Sequence, residues 1–140
     1  MSATPLYNPV KPGLGYVDSQ LTKMILPTTG LWRKLGFTPN GLTTIGLFCS
    51  IGSLIAMYFV LFRKGSLGVG LIAIVFTFLR CYFDYTDGLM ARAYGLSTKL
   101  GGWYDHMVDT GYALVLAGLI GCYNYRLLFI LVPLYVTAAF

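Results

Sequence analysis

The chain has 140 residues, 56% of them hydrophobic and 11% charged, and its mean hydropathy of +0.69 is more than a soluble core of this length requires. Its formal charge of +5 comes from ten Lys and Arg against five acids. The basic residues Lys23, Arg33, Lys34, Arg63, Lys64, Lys99 and Arg126 stand at the edges of apolar stretches, which suits lipid head groups and argues against both a soluble domain and a groove for nucleic acid.

Pro5, Pro9, Pro12, Gly13 and Gly15 break up the start of the chain. No charged start, short apolar run and small-residue cleavage site follow one another there, so residues 1–17 read as a retained, flexible cytosolic tail. Residues 18–37 mix Leu21, Met24, Ile25, Leu26, Leu31, Trp32 and Leu35 with Lys23, Arg33 and Lys34, the pattern of an amphipathic segment lying at the membrane surface. Pro27 and Gly30 argue against one long helix in it. The membrane domain is expected over residues 38–140.

Thr38-Pro39-Asn40 is a helix-start signal. Residues 40–62 carry no charge and are long enough to cross the hydrocarbon at ~1.5 Å per residue. After the polar turn Arg63-Lys64-Gly65-Ser66, a second apolar run over residues 67–83 is interrupted only by Arg80, and its helix is predicted to continue to about residue 93. A third span is predicted over residues 101–122. A fourth begins at Leu127 and has fourteen residues to Phe140, short of the ~20 of a full crossing. Lys11, Lys23, Arg33, Lys34, Arg92 and Lys99 fall on the side of the N-terminus, against Arg63, Lys64 and Arg126 on the other, so the positive-inside rule puts the N-terminus and the second link in the cytosol. Cys49, Cys81 and Cys122 lie within apolar runs, far apart and without a nearby His, and read as packing residues rather than zinc ligands.

Four of the five acids, Asp84, Asp87, Asp105 and Asp109, fall within 26 residues at facing ends of two apolar helices. A carboxylate near the bilayer centre costs ~2.5–3.5 kcal/mol on insertion scales, so a cluster of them should hold cations or, in a purely structural reading, be paired with Arg80, Arg92 and Lys99. Asp84, Asp87, Gly88, Ala91 and Arg92 share one helical face, and Gly101, Asp105 and Asp109 share another. A short link makes the two helices antiparallel. Asp84 and Asp109 should then lie ~12 Å from the link, with Asp87 and Asp105 about one turn nearer to it. An all-oxygen set of this kind suits Mg²⁺ or Mn²⁺, and two ions fit its charge. Gly88 and Ala91 leave a shallow floor, and Arg92 offers a planar fork for phosphate oxygens. Tyr82, Phe83, Tyr85, Trp103 and Tyr104 flank the cluster and read as an interface belt.

The series Asp84, Asp87, Gly88, Ala91, Arg92, Gly101, Asp105 and Asp109 has the residue types and spacing of the signature of the CDP-alcohol phosphotransferase family. Thr38-Pro39-Asn40-Gly41-Leu42-Thr43 also resembles the start of that family's first span. The resemblance implies an all-α polytopic membrane bundle of six helices, about four of them represented here, usually dimeric. It further implies transfer of a phosphoalcohol from a CDP-alcohol or CDP-diacylglycerol donor to a hydroxyl acceptor, such as diacylglycerol or a small polar alcohol, with release of CMP in phospholipid synthesis. Carried over by position, Asp84, Asp87, Asp105 and Asp109 would bind the metals and Asp109 would also be the base. Asn40, Thr43, Gly88, Ala91, Arg92, Thr98 and Gly101 would contact the donor.

His106 points off the metal-facing stripe and reads as a supporting residue. The Asp105-His106 pair resembles the choline and ethanolamine branch of the family. Asn40 and Thr43 read equally as a simple helix cap. Because the predicted spans stop within a fourth, an alternative is a shortened, inactive relative that binds nucleotide or assembles with a full-length partner. A divalent-cation channel is a weaker rival, since Arg92 on the carboxylate face opposes cation passage.

Overall fold

A computed structural model of the chain describes residues 16–127. Among these residues it is all-helical: α1 (Tyr16–Lys34), α2 (Pro39–Phe62), α3 (Leu67–Ala93), α4 (Lys99–Tyr123) and a short 3₁₀ turn at Tyr125–Leu127. The tail expected over residues 1–17 falls almost entirely, and the fourth span over residues 127–140 in nearly all its length, outside the described residues. The three long apolar elements otherwise start and stop within about two residues of their predicted ends.

The α2 and α3 helices, at 24 and 27 residues, are long and apolar enough to cross a membrane. The α4 helix has 25 residues, but Asp105, His106 and Asp109 interrupt its apolar sequence. Local chemistry fixes the ends. Thr38 and Thr98 cap α2 and α4 by accepting hydrogen bonds from Gly41 N at 3.2 Å and Gly101 N at 3.0 Å. The α3 helix closes at Gly95, whose φ of +64° is open to glycine at little cost, and Leu96 N donates back to the Ala91 carbonyl at 2.8 Å.

Packing centres on α2. Its buried positions, Leu42, Thr43, Gly46, Cys49, Ser50, Ser53 and Ala56, recur every three or four residues and are mostly small, the surface that lets helices approach in lipid. At Gly52 an added Cβ would stand 3.1 Å from the Phe76 ring of α3. Ser53 Oγ is 2.8 Å from Thr77 Oγ1 of α3 and 3.3 Å from Tyr112 Oη of α4. Thus α2 runs antiparallel to α3 and parallel to α4, packing on both, while the backbones of α3 and α4 scarcely approach one another. The α3 and α4 helices are antiparallel, as their short link requires, and the small residues of α2 let it pack on both.

The α1 helix departs from expectation in running unbroken through Pro27 and Gly30. Pro27 deprives the Lys23 carbonyl of its donor, but both residues lie on the exposed side of the helix, so the orphaned group does not face the core. The inward side is held by tertiary contacts that outweigh local propensity. Thr22 Oγ1 lies 2.8 Å from Tyr85 Oη, and Trp32 Nε1 donates to Tyr82 Oη at 3.2 Å. The Trp32 ring meets the edges of Phe37 and Phe83 at centroid distances of 5.3 and 5.6 Å. Tyr82, Phe83 and Tyr85 therefore clamp α1 instead of forming the expected interface belt, and Tyr104 reaches Thr44 of α2 at 3.3 Å. Trp103 alone of the five is largely exposed. Of the cysteines only Cys49 is buried, because Cys81 and Cys122 lie on helix faces that the described residues leave uncovered.

Replacing Trp32 by Ala removes these contacts. The expected cost to α1 docking is about 2 kcal/mol, or roughly 30-fold faster amide exchange across α1 with α2 and α3 unchanged. Hydrogen-exchange mass spectrometry reads this directly, and uniform acceleration of all three helices would contradict it.

Candidate active site

Asp84 and Asp87 lie on α3, while Asp105 and Asp109 lie on α4. One carboxylate oxygen from each of Asp84, Asp105 and Asp109 lies within 4.8 Å of the other two. Asp87 is 3% exposed and accepts a 2.5 Å hydrogen bond from Thr43 Oγ1 to its Oδ2. Thr43 is therefore no cap: it joins the first span to the carboxylate cluster, while Thr38 caps the helix. A cavity of about 10 Å³, room for roughly one water-sized species, lies among Asp84, Asp87, Asp105, Asp109, Arg80 and Ser50.

A second cavity, of about 200 Å³, opens beside the first and shares Thr43, Asp87 and Asp105 with it. All seven residues expected to contact a donor, Asn40, Thr43, Gly88, Ala91, Arg92, Thr98 and Gly101, line it. The cluster thus has the two tiers that helical rise requires, with Asp84 and Asp109 only in the deep cavity and Asp87 and Asp105 at the junction. His106 is exposed and lines neither cavity.

The larger cavity is electrically two-ended. Asp87 and Asp105 form one end; the N-termini of α2 and α4, together with Arg92, form the other. Helix N-termini carry partial positive charge and attract anions. Arg92 makes no ion pair among the described residues. Its guanidinium lies over Gly88, where an added Cβ would stand 3.4 Å from Nη1. At Gly101 a Cβ would come within 2.7 Å of Asn40 Oδ1 and 2.9 Å of Thr98 Oγ1, so glycine there lets the two N-termini converge.

Of the three cations that could pair with the acids, Arg80, Arg92 and Lys99, the structure brings Arg80 to the site. Its Nη2 forms an ion pair with Asp109 Oδ1, the only salt bridge among the described residues. Its guanidinium also lies over the Tyr112 ring, 4.5 Å from the centroid. The available signal was its position, one helical turn before Asp84 and the lone charge in residues 67–83. Arg92 and Lys99, the other candidate partners for the acids, make no such pair.

The donor set fits a hard divalent cation. It is all oxygen, and oxygens that lie within 4.8 Å of one another need to close only modestly to reach the ~2.9–4.1 Å separations that octahedral bonds of ~2.0–2.1 Å require. Four carboxylates also meet a single arginine there, so most of their oxygens have no cationic partner among the described residues.

Comparison with known proteins points to one family. The profile described as CDP-alcohol phosphatidyltransferase matches residues 37–140. Over 76 residues the chain is 39% identical to an archaetidylinositol phosphate synthase of Pyrococcus horikoshii. The match covers 54% of this chain and 36% of that protein, so the chain spans about a third of the relative's length. No solved structure matches. With the family profile covering most of its length, including both cavities, the chain belongs to the CDP-alcohol phosphatidyltransferase family.

Proposed function

We propose that the chain carries the donor and metal sites of an integral, multi-pass membrane transferase. The enzyme moves a substituted phosphate group from a CDP-linked donor to a hydroxyl acceptor and releases CMP, in phospholipid biosynthesis. The observation that carries this reading is that the seven residues expected to contact a donor line one cavity, which meets the carboxylate cluster at Asp87 and Asp105. An apolar tail on the donor or acceptor would lie in the bilayer, beside the exposed Phe48, Ile51 and Phe78.

In this reading the N-terminal ends of α2 and α4 and the Arg92 fork hold the pyrophosphate, and Gly88 and Ala91 admit its flat nucleotide. Asp84, Asp105 and Asp109, with the Asp87 oxygen that Thr43 does not occupy, would hold one or two Mg²⁺ or Mn²⁺ ions. Such ions supply charge neutralisation at the pyrophosphate and at the departing CMP. The acceptor oxygen attacks the phosphorus that bears the alcohol, the bond to the CMP oxygen breaks, and Asp109 takes the acceptor's proton. The family resemblance points to a homodimer, and the absence of any buried residue in α4 leaves that helix surface for a second copy, further helices or lipid. The charge bias of the loops supports a cytosolic site. The name of the Pyrococcus horikoshii relative adds an inositol phosphate to the acceptors worth testing, alongside diacylglycerol and small polar alcohols, and the Asp105-His106 pair adds amino-alcohol donors.

Membranes carrying the chain should release CMP from one of a panel of CDP-alcohols or CDP-diacylglycerol, only with Mg²⁺ or Mn²⁺ and an acceptor. Donor binding without release across the whole panel favours the inactive, nucleotide-binding alternative. Asp109→Asn should lower kcat by about 10²–10⁴-fold while changing donor affinity little; equal loss of both would remove Asp109 from the base role. Thr43→Val, which leaves the buried Asp87 carboxylate without its donor, should destabilise the protein by about 1–3 kcal/mol, and Thr43→Ser should restore most of it. Thermal unfolding in detergent measures both.

A further inference from the structure

The ion pair between Arg80 and Asp109 places a fixed positive charge against the oxygens assigned above to a cation. Arg80 belongs to α3 and, besides Cys81 Sγ of its own helix at 4.0 Å, engages Asp109 and Tyr112 of α4, so the guanidinium bridges two helices whose backbones scarcely meet. The arrangement is held from beneath. The Tyr112 hydroxyl lies 3.3 Å from Ser53 Oγ, which lies 2.8 Å from Thr77 Oγ1. The Arg80 side chain is 15% exposed, and its Nε is buried without a hydrogen-bond partner. A planar guanidinium braced on an aromatic face is poorly placed to swing away, unlike a solvated surface lysine.

We propose that Arg80 is a built-in counter-ion and positioning residue of the carboxylate site. It engages Oδ1 of Asp109, leaving Oδ2 for the cavity, and its charge opposes that of an incoming divalent cation, so that it sets the affinity of the site for metal. Cation binding is thereby weaker than four carboxylates alone would give, which favours exchange of ions together with the pyrophosphate-bearing donor over permanent retention. This inference rests on the metal reading of the preceding subsection.

The test is a Mn²⁺ titration of the purified full chain, following the free-ion signal by electron paramagnetic resonance. Arg80→Met and Arg80→Gln both remove the charge, and each should tighten Mn²⁺ binding by about tenfold or more, whereas Arg80→Lys should stay within about threefold of the parent. A purely structural arginine would give the opposite sign, because its loss would loosen the ligands. Unchanged or weaker binding in both the Met and Gln variants, with the parent binding Mn²⁺ normally, overturns the counter-ion role and leaves the metal reading intact. No Mn²⁺ binding by the parent or by any variant overturns both.

Discussion

Carboxylates in apolar helices must be compensated, and in this chain the compensation is arranged by α2. Its small, weakly polar stripe lies between α3 and α4, and the same stripe supplies Thr43 to Asp87 and Ser53 to Thr77 and Tyr112. The two acidic helices are held at a separation at which side chains, not backbones, span the gap. One carboxylate is satisfied by a hydroxyl, another by an arginine, and three of the four can offer oxygens to a common point.

The larger cavity follows from the same arrangement. Thr38 and Thr98 start α2 and α4 with matching caps, and Gly101 lets Asn40 approach the second of them. Two positive helix ends and Arg92 therefore face Asp87 and Asp105 across a space of about 200 Å³. An anion that also carries metal suits such a space, since each end attracts a different part of it. The motif helix serves the fold as well as the site: Tyr82 and Tyr85, on its other faces, hold α1, and Thr86 is fully buried with its hydroxyl donated to the Tyr82 carbonyl at 2.6 Å.

Helical rise alone was enough to foresee the two tiers, because Asp84, Asp87, Asp105 and Asp109 sit at fixed spacings on helices joined by a short link. The helix ends were legible from Thr38-Pro39 and from the polar turns. What the sequence did not disclose were relations between distant segments. Nothing local marks Thr43 as the partner of Asp87, 44 positions away, or selects Arg80 over Arg92 and Lys99 as the partner of Asp109. Nor does a helical pattern reveal that α2 lies between α3 and α4. Pro27 misled because propensity weighs a broken hydrogen bond without knowing that Trp32 and Thr22 are anchored on α3. The aromatics misled for a related reason: Tyr82 and Phe83 resemble an interface belt in sequence but have a helix to clamp.

The central claim is that α2 gathers Asp84, Asp105 and Asp109 into one cation site next to the donor cavity. Anomalous diffraction from crystals grown with Mn²⁺ tests it most directly. The account predicts manganese density among these three carboxylates, bordering the cavity lined by Arg92 and Gly101. Manganese bound elsewhere, with the three carboxylates directed apart, would contradict it.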